Sequence, residues 1–215
     1  MTMTILPEPF EWITIPEGHV TLKPSKYPHD YLKTEVDVVV PQFRVSKTLI
    51  TNAQYTEFIE AGGYGNKRWW SDVGWDIKQA GWDEVFITEL ERESSLHWMP
   101  TNRAWEYPRF WYDKKLNSPQ QPVLGVSWYE AMAFCEWFSQ TQNEVITLPT
   151  DAQLGRMTFI DESWYWSLTL WDSGEIDNYQ NGLRMLRGGL TCDIRYGSDP
   201  INRSEAIGFI VVCNL

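Results

Sequence analysis

Residues 122–139 read PVLGVSWYEAMAFCEWFS, and this stretch predicts a helix with a well-defined start. Ser127 stands three residues before Glu130, which is the spacing of a capping box: the hydroxyl accepts from the N3 backbone N–H, and the N3 carboxylate accepts from the cap backbone N–H. Apolar residues then recur at intervals of three and four, as on one helical face. They are Ala131, Phe134, Cys135 and Phe138.

Two further capping boxes lie on either side of this helix, at 51–54 (TNAQ) and at 150–153 (TDAQ). The first predicts a helix that carries Tyr55, Phe58 and Ile59 on one face. That helix should end at the glycine pair 62–63, because glycine adopts the conformation that terminates helices.

The remaining regular segments resemble short strands. Residues 10–22 predict two strands around a Pro-Glu-Gly turn, and residues 36–45 predict a strand interrupted by Pro41. Three more strand-like runs follow residue 162: SWYWSLTLW, RMLRGG and IGFIVV. We find no internal repeat or linker, and 215 residues suffice for one sizeable core. We therefore expect a single domain over residues 1–215.

The segment 64–122 is long, irregular and rich in aromatic residues. Disordered segments contain few aromatic residues, so this one should be ordered. Of the chain's 13 Trp, seven lie here: Trp69, Trp70, Trp75, Trp82, Trp98, Trp105 and Trp111. One or two short helices are expected within 71–93, and most of the rings should be core.

The charge balance restricts the classes of partner. A net charge of −11 and a pI near 4.7 argue against nucleic acid and against an anionic membrane surface. The three His are scattered and the three Cys have no CxxC spacing, so a zinc site is not expected. The N-terminus has no signal-peptide pattern and no window approaches a membrane span, which favours a cytoplasmic protein.

Four segments in order carry a resemblance to a known family: 43–64, 122–139, 146–153 (ITLPTDAQ) and 186–212 (LRGGL…NRSEAIGFIVV). Together they resemble the formylglycine-generating-enzyme (sulfatase-modifying-factor) family. Similar domains occur in ergothioneine synthases and in the variable proteins of diversity-generating retroelements. The resemblance implies an α+β, C-type-lectin-like fold: two helices around a small bent antiparallel sheet, with much irregular chain.

The chain departs from the oxidases of this family at their cysteine pair. In those enzymes two cysteines five residues apart, just after an Arg-Gly-Gly motif, bind copper, and soft thiolates suit Cu(I). Here Arg187-Gly-Gly189 is followed by Cys192, but Gly197 stands five residues later. The resemblance therefore implies no complete catalytic pair, and we assign no catalytic and no metal-ligating residues.

A second departure lies at 161–166, which reads DESWYW. The family usually has Gly-Asn-Val-Trp-Glu-Trp there and holds a structural Ca²⁺. The pair Asp161-Glu162 replaces Gly-Asn; carboxylates can bind Ca²⁺, so a calcium site stays open. Trp164 and Trp166 are retained, and we interpret both as rings packed under the sheet. The segment before them is also much shorter than in the family, which removes much of a cleft wall.

The C-terminal stretch alternates framework residues with small or polar ones. It resembles the variable region of retroelement-diversified proteins, in which a lectin-like scaffold displays changeable side chains. Arg195 and Arg203 are assigned to the framework. The predicted ligand-binding residues, all expected to be exposed, are Tyr196, Ser198, Asp199, Ile201, Ser204 and Glu205.

Three functions follow. The favoured one is a non-catalytic scaffold that binds a protein or a small ligand through this loop surface. An oxygen-dependent oxidase of the formylglycine-generating type would instead use Cys192. A subunit of a larger assembly would dock through the Trp-rich segment 64–111. Fold alone does not distinguish them.

Overall fold

The computed structural model describes residues 6–85, 97–157, 163–176, 182–189 and 194–215, and it has the α+β architecture that the sequence predicts. In chain order the elements are β1 (Trp12–Ile15), β2 (Gly18–Leu22), β3 (Val36–Val40), β4 (Phe43–Ser46), α1 (Asn52–Glu60), a 3₁₀ turn (Lys67–Trp69), α2 (Asp72–Ala80), β5 (Trp82–Val85), β6 (His97–Pro100), α3 (Trp128–Gln142), β7 (Ile146–Thr147), α4 (Asp151–Gly155), β8 (Trp164–Leu170), β9 (Arg184–Gly188), β10 (Ile194–Ser198), β11 (Ile207–Gly208) and β12 (Val212–Asn214).

Within the described ranges, the strands form two four-stranded sheets and two strand pairs. One sheet has the order β1-β4-β12-β7, the other β10-β9-β8-β11, and the pairs are β2-β3 and β5-β6. Neighbouring strands are antiparallel except β8 and β11, which are parallel. β1 and β2 flank the predicted turn but pair with β4 and β3, so they do not form a hairpin with each other. Pro41 separates β3 from β4, as expected.

All three predicted capping boxes are confirmed. Thr51, Ser127 and Thr150 each accept a hydrogen bond from the N3 backbone N–H, and the N3 side chain accepts one in return. The capping boxes therefore determine where α1, α3 and α4 begin. Within the described residues, no helix has the length and apolar character needed to cross a membrane.

The core surrounds α3 and consists largely of aromatic rings. The Phe134 ring centroid lies 5.4 Å from those of Tyr55 and Phe209, which come from α1 and from the segment before β12. The irregular middle segment joins this core through indoles that donate to carbonyls: Trp70 Nε1 to Gly63 O at 2.8 Å and Trp105 Nε1 to Trp82 O at 3.0 Å. The segment's order thus comes from its buried rings, and Trp70 and Trp105 also satisfy their N–H groups.

The two tryptophans of β8 share a sheet face but not an environment. Trp166 is fully buried and donates from Nε1 to Val126 O at 2.9 Å. Trp164 is only half-buried, packing on the core with one side. The interpretation of both rings as core is therefore confirmed for Trp166 and wrong for Trp164, because β8 carries this face out to the surface at its N-terminal end.

We expect Trp166→Ala to lower the free energy of unfolding by about 3–5 kcal/mol, as truncation of a large core ring does. Trp164→Ala should cost clearly less, because part of its ring is already in water. Urea denaturation followed by far-UV circular dichroism would compare them. Equal losses would place Trp164 in the core after all.

Candidate binding cleft at the C-terminal loop

A surface cleft of about 300 Å³ opens beside the C-terminal loop. Aromatic rings form its most prominent feature: the Tyr196 centroid lies 5.1 Å from that of Tyr27, at 83°, and 6.4 Å from that of Trp164, at 61°. We call it the aromatic cleft. Its lining residues are Tyr27, Trp164, Leu186, Tyr196, Asn202, Ser204, Ala206 and Ile207. The volume suits a small ligand or a single side chain of a protein partner.

The base of the cleft is apolar and its rim is polar. Leu186 and Ile207 are buried beneath it. At the rim, Asn202 Nδ2 donates to Ser198 Oγ at 3.1 Å, and Ser204 Oγ accepts from the Ala206 backbone N–H at 3.2 Å. An apolar base with a few oriented polar groups is the usual composition of a binding site.

A buried ion-pair network holds one side of the cleft. Arg195 Nε lies 3.0 Å from Asp151 Oδ2, and its Nη1 lies 2.7 Å from Asp30 Oδ2. The Ser25 hydroxyl donates to the Arg195 carbonyl at 2.7 Å. These bonds hold residues 25–30, here called the N-terminal segment, against β10. They therefore place Tyr27 beside the C-terminal loop.

Arg203 holds the other side. Its Nε lies 3.0 Å from Glu130 Oε2, and Glu130 is the buried carboxylate of the α3 capping box. Glu130 also accepts from the Ser127 backbone N–H at 2.8 Å and from the Tyr64 hydroxyl. The assignment of Arg195 and Arg203 to the framework is confirmed: each is buried and satisfies a buried carboxylate.

The structure separates the six predicted ligand-binding residues. Tyr196 is 45% exposed, Glu205 is exposed and Ser204 is half-buried at the rim. Ser198 and Ile201, in contrast, are only 4% and 6% exposed. The expectation of exposure is therefore wrong for Ser198 and Ile201.

Ser198 ends β10, where its Oγ accepts from Asn202 Nδ2 at 3.1 Å. For Ile201 the physical reason is a local turn. Asp199 Oδ1 accepts from the Ile201 backbone N–H at 3.1 Å, a bond to the second residue along the chain. This turn directs Ile201 into the main core cluster. Burial raises the pKa of the half-buried Asp199 carboxyl, and the bond from Ile201 opposes that rise. Asp199 therefore shapes the loop, although the sequence predicted a display role for it.

Of the lining residues, only Tyr196 and Ser204 belong to the predicted binding set. From the sequence, Trp164 is interpreted as core and Asn202 is assigned no binding role. Tyr27 gave no signal, because its position depends on the Ser25–Arg195 contact across 170 residues of sequence. When each sequence segment is interpreted separately, nothing indicates that Tyr27, near the N-terminus, lines a cleft at the C-terminal loop.

The geometry at Gly197 bears on the missing cysteine pair. A Cβ atom built on Gly197 would lie 2.3 Å from Cδ1 of the Trp171 indole, closer than real Cβ atoms approach other atoms. Any side chain at 197, including a cysteine thiol, would have to displace this ring. Cys192 lies outside the described residues, so its part in the prediction stays a prediction.

The other two cysteines lie in different parts of the core. Cys135 is in α3, where burial raises the pKa of its thiol well above the usual range. A protonated, enclosed thiol is a poor nucleophile and a poor copper ligand. Cys213 is buried in β12, and its Sγ accepts from Arg44 Nη2 at 3.1 Å.

The predicted calcium position falls on Asp161-Glu162, outside the described residues, and stays a prediction. In the part of the chain that the structure does describe, no three His, Cys, Asp or Glu side chains lie close enough together to hold a metal ion.

Comparison with known proteins places the fold in a family. The sequence model of one protein family, the sulfatase-modifying factor enzyme 1-like domain, matches residues 6–175. The chain is 31% identical over 118 residues to a hercynine oxygenase of Mycolicibacterium thermoresistibile, covering 55% of this chain and 24% of that protein. It is 22% identical over 211 residues to the formylglycine-generating enzyme of Thermomonospora curvata, covering 92% of this chain and 61% of that protein. The chain thus spans about a quarter of the length of the hercynine oxygenase and less than two thirds of the other enzyme.

Solved structures share the fold at low identity. PvdO from Pseudomonas aeruginosa has a TM-score of 0.57 at 12% identity, covering 95% of this chain and 94% of that one. Treponema denticola variable protein 1 has a TM-score of 0.53 at 15% identity, covering 96% and 95%. Both likenesses extend over nearly the whole chain, and at these identities they establish the architecture alone.

Arg203→Ala should lower the free energy of unfolding by about 3–5 kcal/mol, because it removes the cation beside the buried Glu130 carboxylate. Lys23→Ala is a matched control: its partner Glu35 lies 3.7 Å away and both side chains are well exposed, so the urea midpoint should hardly move. If the two variants shift the midpoint equally little, Arg203 does not belong to the framework.

Proposed function

The chain belongs to the sulfatase-modifying factor enzyme 1-like domain family, and we propose that it is a non-catalytic scaffold that binds a protein or a small ligand at the aromatic cleft. One observation carries this proposal. Tyr196 points outward from β10, while its neighbour Arg195 is buried in ion pairs that fix the strand. A rigid framework with an exposed aromatic side chain is suited to recognition.

The side chains at the cleft have the chemistry of a recognition surface. Tyr and Trp offer rigid contact area at a low entropic cost, while Ser and Asn provide adaptable hydrogen bonds. Tyr196 and Trp164 supply the first kind, and Ser204 and Asn202 the second. Because the ion pairs order the loop before a ligand arrives, little ordering entropy is lost on binding. The likeness to a variable protein supports this proposal at the level of the fold.

Oxidation by a Cys192-based site is the second candidate, favoured by the names of the relatives. Cu(I) needs two soft ligands, and the indole of Trp171 occupies the space that a side chain at position 197 would need. The residue at 197 therefore does not fit the copper pair of the oxidases. Docking through 64–111 has less support, because Trp69, Trp70 and Trp105 are buried in the core.

The net charge of −11 supports a protein or small-molecule ligand over a nucleic acid, since phosphate binding needs a basic face. A cytoplasmic location, where thiols such as Cys135 and Cys213 stay reduced, belongs to the same proposal.

The triple substitution Tyr196→Ala, Ser204→Ala and Glu205→Ala should abolish binding to a partner recovered from the host with the wild-type chain. Stability should change little, because surface substitutions usually cost at most about 0.5 kcal/mol each. Pull-down and thermal melting of the same preparations measure both. The control Ile201→Ala should instead destabilise, because Ile201 is buried. A partner whose affinity survives the triple substitution would contradict the proposal.

We also expect no stoichiometric Cu(I) complex. In a titration against a competing Cu(I) chelator, the wild-type chain and Cys192→Ser should behave alike, because no second thiolate fits at position 197. A one-to-one complex that is lost in Cys192→Ser would restore the oxidase as the leading function.

A further inference from the structure

A second cleft, which shares no lining residue with the aromatic cleft, lies where the start of α1 meets the turn that follows Pro108. Its volume is about 240 Å³. The rings of Trp111 and Tyr112 form one side, and the polar side chains of Asn52, Thr56 and Asn117 form much of the rest. Ala53 and Pro119 complete the lining. We call it the neutral cleft, because none of the residues lining it in the described structure is charged.

The two rings present surfaces in different directions. Tyr107 lies parallel to Trp111, at 12° and 6.4 Å between centroids, while Tyr112 meets Tyr107 at 68° and 5.3 Å. The Trp111 and Tyr112 rings are therefore steeply inclined to each other. Tyr112 is 72% exposed, so most of its ring surface is accessible to a ligand. A ligand that fits must offer apolar surface on more than one side.

The cleft is ordered by hydrogen bonds within the chain. The Trp111 backbone N–H donates to Pro108 O at 3.0 Å. Asn52, which is 6% exposed, donates from Nδ2 to Leu116 O at 2.8 Å and to Ser118 O at 3.0 Å. These two bonds fix the orientation of the carboxamide, and no described residue donates to its Oδ1. An oriented acceptor is thus available to a hydroxyl donor.

The neutrality of the lining selects the class of ligand. The chain carries 29 acidic and 18 basic residues, yet none of those in its described part lines this cleft. A charged ligand would lose hydration without gaining a partner. The Thr56 hydroxyl donates to Asn52 O at 2.8 Å and keeps lone pairs that can accept, while the exposed Asn117 amide both donates and accepts.

We propose that the neutral cleft binds one pyranose ring of an uncharged saccharide. Such a ring has apolar C–H surfaces for the inclined Trp111 and Tyr112 rings, and hydroxyls for Asn52 Oδ1, Thr56 and Asn117. A flat heterocycle could stack on only one of the two rings. The volume matches a single sugar ring, below the range of about 300–1000 Å³ typical of drug-sized ligands.

Saturation-transfer NMR with the methyl α- and β-glycosides of glucose, galactose and mannose tests the proposal. At least one glycoside should bind saturably in the millimolar range. Tyr112→Ala should raise its Kd about tenfold or more, through loss of one ring contact. Tyr112→Phe keeps the ring and should retain affinity. Tyr196→Ala, in the aromatic cleft, should leave glycoside binding unchanged.

Four results would overturn the proposal: no saturable binding by any glycoside; equal binding of cyclohexanol, which would reduce the site to apolar contact; binding of adenosine in place of the sugars; or glycoside binding that Tyr112→Ala leaves unaltered. Because Tyr112 is mostly exposed, its variants should stay folded, which the melting curves of the same samples verify.

Discussion

The structure around the aromatic cleft depends on the buried guanidinium of Arg195. This group pairs with Asp151 at the start of α4 and with Asp30 in the N-terminal segment, and Arg187 of β9 lies 2.8 Å from the same Asp151 carboxylate. Three distant stretches of chain therefore meet at one set of charges. Burying so many charges costs desolvation energy that only close pairing offsets, so these stretches have few alternative arrangements.

This arrangement explains how a short, irregular strand can present a defined surface. Along β10, Arg195 faces inward and Tyr196 outward, as alternation in a strand requires. The inward residue joins the strand to the interior, and the outward residue contributes an exposed ring to the cleft. Glu130 and Arg203 repeat the arrangement after the turn, where a helix cap and a loop share one carboxylate. Neighbouring residues of one strand can thus differ in role, because one side chain points into the core and the next points to the surface.

Sequence could predict what depends on local chemistry. The capping boxes depend on residues three positions apart. Arg195 and Arg203 could be assigned to the framework because a guanidinium group can satisfy several carbonyl and carboxylate oxygens at once. Ser198 and Ile201 could not be placed from the sequence. Ile201 lies in the turn at Asp199, beyond the strand. Ser198 is on the same side of β10 as Tyr196 but is buried where Asn202 Nδ2 donates to its Oγ. Tyr27 could not be found either, since its place depends on contacts between the two ends of the chain. Trp164 is an intermediate case: the sequence predicted the sheet face on which it lies, but not that its ring is only half-buried.

Gly197 links the absence of a second thiol to the presence of the aromatic cleft. Having no side chain, it leaves room for the Trp171 indole to lie against β10. The Trp171 Nε1 donates to Pro28 O at 3.0 Å, and the residue before Pro28 is Tyr27, a wall of the cleft. The ring also lies 6.0 Å from the Arg195 guanidinium. A side chain at 197 would therefore disturb the contact that seats the N-terminal segment. A copper-ligating side chain at position 197 and the packing that builds the cleft thus exclude each other.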